Sequence, residues 1–475
     1  MIGIYLIGAF SIGIALFLNK NKTVSHVLMG LFLILQGVLT RHSYLHIHST
    51  EWTYFTYDSL AVLLLIVLTI IAIPAFIHSH IYLENKLTPP YPRAVYYSAF
   101  VLLLTAISAG YLSNHIAVTW IFTEITTLSA SAIIYHHRSK LALEGTWKYV
   151  FICAISVTFI FIGILFLSLS MGGTGSDDLS FQNLHTYSSK LNPFWLRLSF
   201  LFVFTGYTVK LGLVPMFTAG VDAKDKAPAP AGALLSSVLM NLGFVGIFRF
   251  YIVIASTSLH QWANLIIGIS AFFSVFVATV YMIKVKNIKR MFAYSGIEHM
   301  GLVMLGIAAG GIGYYAAILH IILHAFVKSS LFFQYTQLYR VYQSKSIYSV
   351  GNYFKYNTSG ALVILFGFIS VTAMPPSGLF VSEFLIFQSL FEAHQILLLV
   401  ALLLLLTMII WAFGKNILKI VFLPLSEFDE SNVPKISPWE SSSQFILLTF
   451  SVYLGLNPPA EFVQLIKESI LLLSN

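Results

Sequence analysis

The chain has little charge and almost no cysteine. Asp, Glu, Lys and Arg together make up 9% of its 475 residues, against 58% hydrophobic residues and a mean hydropathy of +0.84. So little charge excludes an ordinary soluble globule and reads as a polytopic membrane protein. The single cysteine, Cys153, lies in an apolar run. One cysteine holds no iron–sulfur cluster and forms no internal disulfide, and a packed small side chain is the default reading. There is no Cys/His spacing for zinc, no Walker motif and no dinucleotide-binding glycine motif. No cofactor is therefore expected in this chain; a driving nucleotide or redox group would belong to a partner.

What is present is a succession of long apolar runs. A helix needs about 20 apolar residues to span a bilayer. By that rule we predict an all-α fold of about fourteen transmembrane helices, near 2–18, 23–40, 59–81, 94–112, 115–135, 147–169, 196–218, 229–254, 261–283, 290–310, 313–338, 359–392, 394–422 and 442–457. The first run has no basic stretch before it and reads as a retained span, not a signal peptide. Residues 460–475 mix Leu and Ile with Glu461, Lys467 and Glu468 and read as an interfacial helix. The net charge of +8 follows from topology: nineteen basic residues flank the odd-numbered loops and four (Arg41, Lys190, Arg197, Arg249) the even-numbered ones. Odd loops are then cytoplasmic and both termini lie on the outer side of the cytoplasmic membrane. Nucleic acid is not an expected partner.

Two spans are interrupted. In the seventh, Lys210 precedes Gly212 and Pro215; in the twelfth, AMPPSG (373–378) precedes Glu383. Proline removes a backbone donor and clashes with the preceding turn, and open backbone at membrane depth is tolerated only where protein or a wet cavity covers it. Discontinuous helices in matching places point to inverted repeats and an ion site. Glu124 and Lys210 are 86 residues apart, Glu298 and Glu383 85. This spacing divides the chain into a three-span segment (1–93), a first repeat (94–254), a second repeat (261–422) and a C-terminal span with tail (423–475). Spans 4–8 and 9–13 form two five-helix repeats, inverted because five is odd.

Five ionisable residues sit within these spans: Glu124, Lys210, Glu298, Lys328 and Glu383. Each costs about 2.5–3.5 kcal/mol on insertion scales, so together they read as a proton or ion path. Glu124 and Lys210 are mid-span groups able to exchange protonation states when a neighbouring charge changes; a static buried ion pair is the plainer alternative. His320, His324 and Lys328, at i, i+4 and i+8, form one polar stripe on a helix, and imidazoles relay protons at accessible pH. Glu298 and His299 are adjacent and point about 100° apart. Asp58, Lys148 and Arg249 lie near span ends, where long side chains snorkel; they read as structural, with Lys148 the leading exception. His42, His46 and His48 make a weak metal tract, and solvated loop histidines are the preferred reading.

These residues fall in motifs that resemble a known family. VKLGLVPM, followed by VDAKDKAPAPAGALLSSVL, resembles the broken helix and next helix of the antiporter-like subunits of respiratory complex I, whose relatives include cation/proton antiporters and membrane-bound hydrogenases. AYSGIEHMG, HAFVKSSLFF and MPPSGLFVSEFLI look most like the F component of hydrogenase-4 and of related formate hydrogenlyase complexes. The resemblance covers about residues 55–420. It implies a proton-pumping subunit in which Glu124 and Lys210 form the first half-channel, His320, His324 and Lys328 the central axis, and Glu383 the terminal protonatable group. It also implies partner membrane subunits and peripheral iron–sulfur subunits, with any nickel or quinone outside this chain. There are departures. Asn241 stands where complex I relatives often have lysine, so the bridge between half-channels depends on water, Lys328 or the histidines. Val221 and Lys224 replace a usual Pro and His, and Ser377 a usual Phe. Two other functions fit the same charges: a Na⁺/H⁺ antiporter module, or an ion-coupled inorganic-carbon uptake subunit, working without a redox partner. A subunit that merely anchors others fits poorly with five charges at membrane depth.

Overall fold

The computed structural model describes residues 1–425, 428, 430 and 433–473. The remaining residues, all within the 423–475 segment, lie outside the described set. In chain order the helices are α1 (Ile2–Leu18), α2 (Lys22–Leu45), α3 (Ser59–Asn85), α4 (Pro90–Leu112), α5 (Ile116–Ile134), α6 (Lys140–Met171), α7 (Phe181–Thr186), α8 (Pro193–Leu211), α9 (Thr218–Lys226) and α10 (Ala229–Ser236). They continue with α11 (Val238–Ala255), α12 (His260–Lys284), α13 (Ile288–Ala309), α14 (Ile312–Tyr342), α15 (Tyr353–Tyr356), α16 (Thr358–Val371), α17 (Gly378–Glu392), α18 (Ile396–Phe422), α19 (Ser442–Leu456) and α20 (Ala460–Ser469). Among the described residues the only strands are a small hairpin, β1 (Thr50–Glu51) paired antiparallel with β2 (Phe55–Thr56).

The fold is that of an all-α polytopic membrane protein. Among the described residues, eleven helices are long and apolar enough to cross a bilayer, or twelve counting one pair bent by 74°, Pro438–Leu456 with Ala460–Ser469. The expected fourteen is not reached by this measure. α1 has 17 residues, and α16, at 14 residues and about 21 Å, is half of the span that Pro375 and Pro376 interrupt. Polar residues set the ends. Asp58 caps α3 by accepting from Ala61 N (2.7 Å), Asn192 caps α8, and Asn287 caps α13 by accepting from Lys289 N (2.9 Å). Both breaks fall where the prolines lie. α8 stops at Gly212, whose φ of +87° suits a residue without Cβ, and α9 begins at Thr218. α16 stops at Val371 and α17 begins at Gly378, capped by Ser377.

The chain divides into two compact units. The first comprises residues 1–231, 238–266 and 464 onward; the second comprises 232–237 and 267–463. In the first, α6 packs on α5 and on both halves of the broken helix, α8 and α9. In the second, α14 packs on α13 and on both halves of the other, α16 and α17, with α19 alongside. The apolar stretches of α13 and α14 are buried throughout, whereas most residues of the α18 stretch are at least partly exposed. The first two carry buried charge, Lys289 and Glu298 on α13 and Lys328 on α14.

Candidate proton-transfer site

In the first unit, Lys210 occupies the last turn of α8. Gly243 on α11 fixes how that turn is held: a Cβ there would lie 2.5 Å from Leu211 N, so the α11 backbone rests directly on the end of α8. The Lys210 side chain is buried. Its ammonium donates to Thr127 Oγ1 (2.8 Å) and to the Tyr149 hydroxyl (3.3 Å), and lies over the Tyr149 ring at 5.4 Å. Glu124 is one turn before Thr127 on α5, half-buried, with Oε2 unpartnered. It lies within electrostatic reach of Lys210 without a direct ion pair. The expected carboxylate–lysine pair is thus a mediated one, with Thr127 between them. Thr127 and Tyr149 are not conspicuous in the sequence; each follows from helical spacing, Thr127 from Glu124 and Tyr149 from packing of α6 on α8.

The secondary candidates fall outside this cluster. Lys148 is exposed and paired with Glu144 at 2.5 Å, one turn away. Asp58 caps α3 and accepts from Arg249 (2.5 Å), whose guanidinium also donates to the carbonyls of Ser113 and Tyr111. Arg249 is therefore an inward structural anchor rather than a snorkelling side chain. Asn241 is fully buried. The neighbouring Tyr111 hydroxyl donates to Val238 O (2.5 Å), and both amide heavy atoms of Asn241 remain without a partner.

In the second unit, facing stripes of α13 and α14 bring five of the sequence candidates into one buried group. His299 Nδ1 is 3.0 Å from His320 Nε2, and His320 Nδ1 is 3.0 Å from Ser382 Oγ on α17. The His324 ring stands 5.1 Å from that of His299. One further turn along, Lys328 donates to Phe292 O (2.9 Å) and to Ser295 Oγ. All three α14 residues face α13, as their spacing predicts. Glu298, whose Oε2 has no partner, lies within electrostatic reach of Glu383 and of Lys328. Ser382 is a further member that the sequence hides, since one serine beside Glu383 carries no signal of its own.

The hydrogen bonds assign tautomers. Ser382 Oγ donates its only hydrogen to Leu379 O (3.0 Å), so it accepts from His320 Nδ1–H. Neutral His320 then has a bare Nε2, which accepts from His299 Nδ1–H. That leaves His299 Nε2 as the bare nitrogen, which has no protein hydrogen-bond partner. The line is poised to take a proton at His299 and pass one on toward Ser382. Among the described residues no group of three His, Cys, Asp or Glu is arranged to hold a metal.

Comparison with known proteins gives the family and the fold. Residues 113–409 match the model of a transmembrane family described as NADH:quinone oxidoreductase/Mrp antiporter. The hydrogenase-4 component F homolog of Methylacidiphilum infernorum is 27% identical over 430 residues, 89% of each chain. Among solved structures, a chain of the membrane-bound sulfane sulfur reductase, an archaeal respiratory membrane complex, superposes with a TM-score of 0.86 at 20% identity, covering 99% of this chain and 96% of that one. A chain of the Mrp complex from Dietzia sp. does so at 0.84 and 15%, with the same coverage.

Proposed function

Because the chain belongs to the NADH:quinone oxidoreductase/Mrp antiporter transmembrane family, we propose that it is the proton-translocating membrane subunit of a redox-driven complex of hydrogenase-4 or NADH dehydrogenase type. The observation that carries this reading is the buried line His299–His320–Ser382, flanked by Glu298, Lys328 and Glu383. A proton arriving at His299 Nε2 makes an imidazolium. Its Nδ1 proton passes to His320 Nε2, and the His320 Nδ1 proton passes to Ser382 Oγ as that hydroxyl releases its own hydrogen, so one proton enters and one exits; the charge of the pair is unchanged, but each imidazole is left as its other tautomer and must turn over before the next proton. Lys328 and the two carboxylates set the energy of that step through space. A change of charge at any of them moves the balance without bond making.

Lys210, with Glu124, serves as the corresponding switch of the first unit. Electron transfer belongs to iron–sulfur subunits that bind alongside other membrane subunits, and the chain sits in the cytoplasmic membrane with both termini outside. Lys210→Ala, in the assembled complex in membrane vesicles, is expected to abolish acidification coupled to electron transfer while the partner subunits still co-purify. Normal pumping by that variant would sink the reading.

A second reading, cation/proton antiport without a redox partner, is favoured by the Mrp part of the family and by the fold match to the Dietzia Mrp chain. It predicts sodium-dependent proton flux in liposomes that contain this chain alone. Under the first reading those liposomes show none.

A further inference from the structure

Helix α18 of the second unit carries two cations on a face that the chain leaves open. Leu397, Val400, Leu404, Met408 and Trp411 are exposed and fall at the spacing of one helical stripe. Lys415 and Lys419 continue that stripe by one and two turns; Lys415 is exposed and Lys419 half-buried. From Leu397 to Lys415 the helix rises about 27 Å, at about 1.5 Å per residue. That is close to the roughly 30 Å of a hydrocarbon core. The apolar stripe thus fills the core, and the lysines stand at headgroup level in one leaflet. In the topology read from the sequence that leaflet is the cytoplasmic one.

The two ammonium groups are held in place without being neutralised. The Lys415 nitrogen lies 5.3 Å from the centre of the Trp411 ring, and the Lys419 nitrogen 4.7 Å from that of Tyr348, in the turn after α14. Contact with a ring face orients an ammonium and leaves its charge in place. Among the described residues no acid is within ion-pair distance of either lysine. Glu430 is held by Lys355 at 2.7 Å, and Glu440 by Arg340 at 2.5 Å. α18 packs on α15, α16 and α17. The acids of those helices are Glu383, in the buried group, and Glu392, beside the opposite end of α18. Snorkelling accounts for one lysine at a span end. Two on one stripe, each against its own ring and neither with an acid, make a surface that a phosphodiester matches. A protein helix seated here would have to desolvate both charges. A phospholipid brings chains for the stripe and a phosphate for the lysines in one molecule.

We propose that this face of α18 is a binding site for an anionic phospholipid. Lys415 and Lys419 hold the phosphate, Trp411 and Tyr348 flank the glycerol level, and the acyl chains lie along Met408 and Leu404. The site is separate from the buried groups of both units and does not depend on the proton-translocating reading.

The test uses the protein with whatever subunits co-purify, in phosphatidylcholine nanodiscs that contain a trace of phosphatidylglycerol with a photoreactive headgroup. After illumination, adducts are located by peptide mass. They are expected within 408–422, and to be displaced by unlabelled phosphatidylglycerol but not by more phosphatidylcholine. Each lysine near an anionic headgroup contributes about a factor of five. Lys415→Gln combined with Lys419→Gln is therefore expected to lower the adduct yield about 25-fold. Lys415→Arg with Lys419→Arg keeps the yield, because a guanidinium also binds phosphate. Lys286→Gln, at an exposed position off this helix, leaves it unchanged. An equal yield in the double glutamine variant overturns the inference, as does displacement by phosphatidylcholine as readily as by phosphatidylglycerol. A wild-type particle with no adduct on α18 overturns it too, and is the result expected where another subunit covers this face.

Discussion

At the scale of single residues, the second unit gathers three imidazoles, a lysine and two carboxylates in one buried interior. His320 is the central link, bonded on both ring nitrogens. His320→Gln retains hydrogen-bonding groups but cannot carry a proton, so acidification is expected to stop while electron transfer is measured alongside. Lys148→Ala, which removes an exposed pair with Glu144, is expected to pump like the wild type; equal losses in the two variants would contradict the assignment. The stripe His320, His324 and Lys328 was legible from spacing, because a helix presents every fourth residue to one neighbour. What the sequence concealed was the neighbour. That His299 and Ser295 complete the stripe depends on the register of α13 against α14, and that Thr127 stands between Glu124 and Lys210 depends on how α5 faces α8.

At the scale of elements, helix ends and breaks were easier to read than helix counts. Proline and glycine act locally, so the interruptions at 212–217 and 372–377 lie where the residues put them. Whether α16 or α19 spans the bilayer depends on partners and tilt, which no window of residues contains. Asp58 shows how one side chain joins two elements, capping α3 and holding Arg249 of α11. Asp58→Asn keeps the cap and loses the charge pair, at a cost of about 2 kcal/mol, below the about 3–5 kcal/mol of wholly buried pairs because Asp58 is 37% exposed. Asp58→Ala loses the cap as well and should cost about 1 kcal/mol more. Denaturation in mixed micelles of the two variants and wild type checks the order; equal stabilities of the two variants would mean that the cap contributes nothing.

At the scale of the whole molecule, the distribution of lysine and arginine predicts the orientation, and the chain offers a direct check. Its only cysteine, Cys153, is buried, so Cys153→Ala provides a thiol-free background. Lys190→Cys and Lys286→Cys, both at exposed positions, are expected to react with an impermeant maleimide from the outer and the cytoplasmic side respectively. Labelling of both from one side would refute the topology. The enclosure of α13 and α14 also bears on biosynthesis. These helices carry Glu298, His299, His320, His324 and Lys328, the groups a bilayer accepts least, and α14 is covered by α16, α17 and α19, which leave the ribosome after it. During synthesis the most polar spans are therefore made before their shelter exists. The insertion machinery must retain them at its lateral exit until the later helices arrive, and a nascent chain that ends before α16 would present naked charge to lipid, a form suited to quality-control proteolysis rather than to assembly.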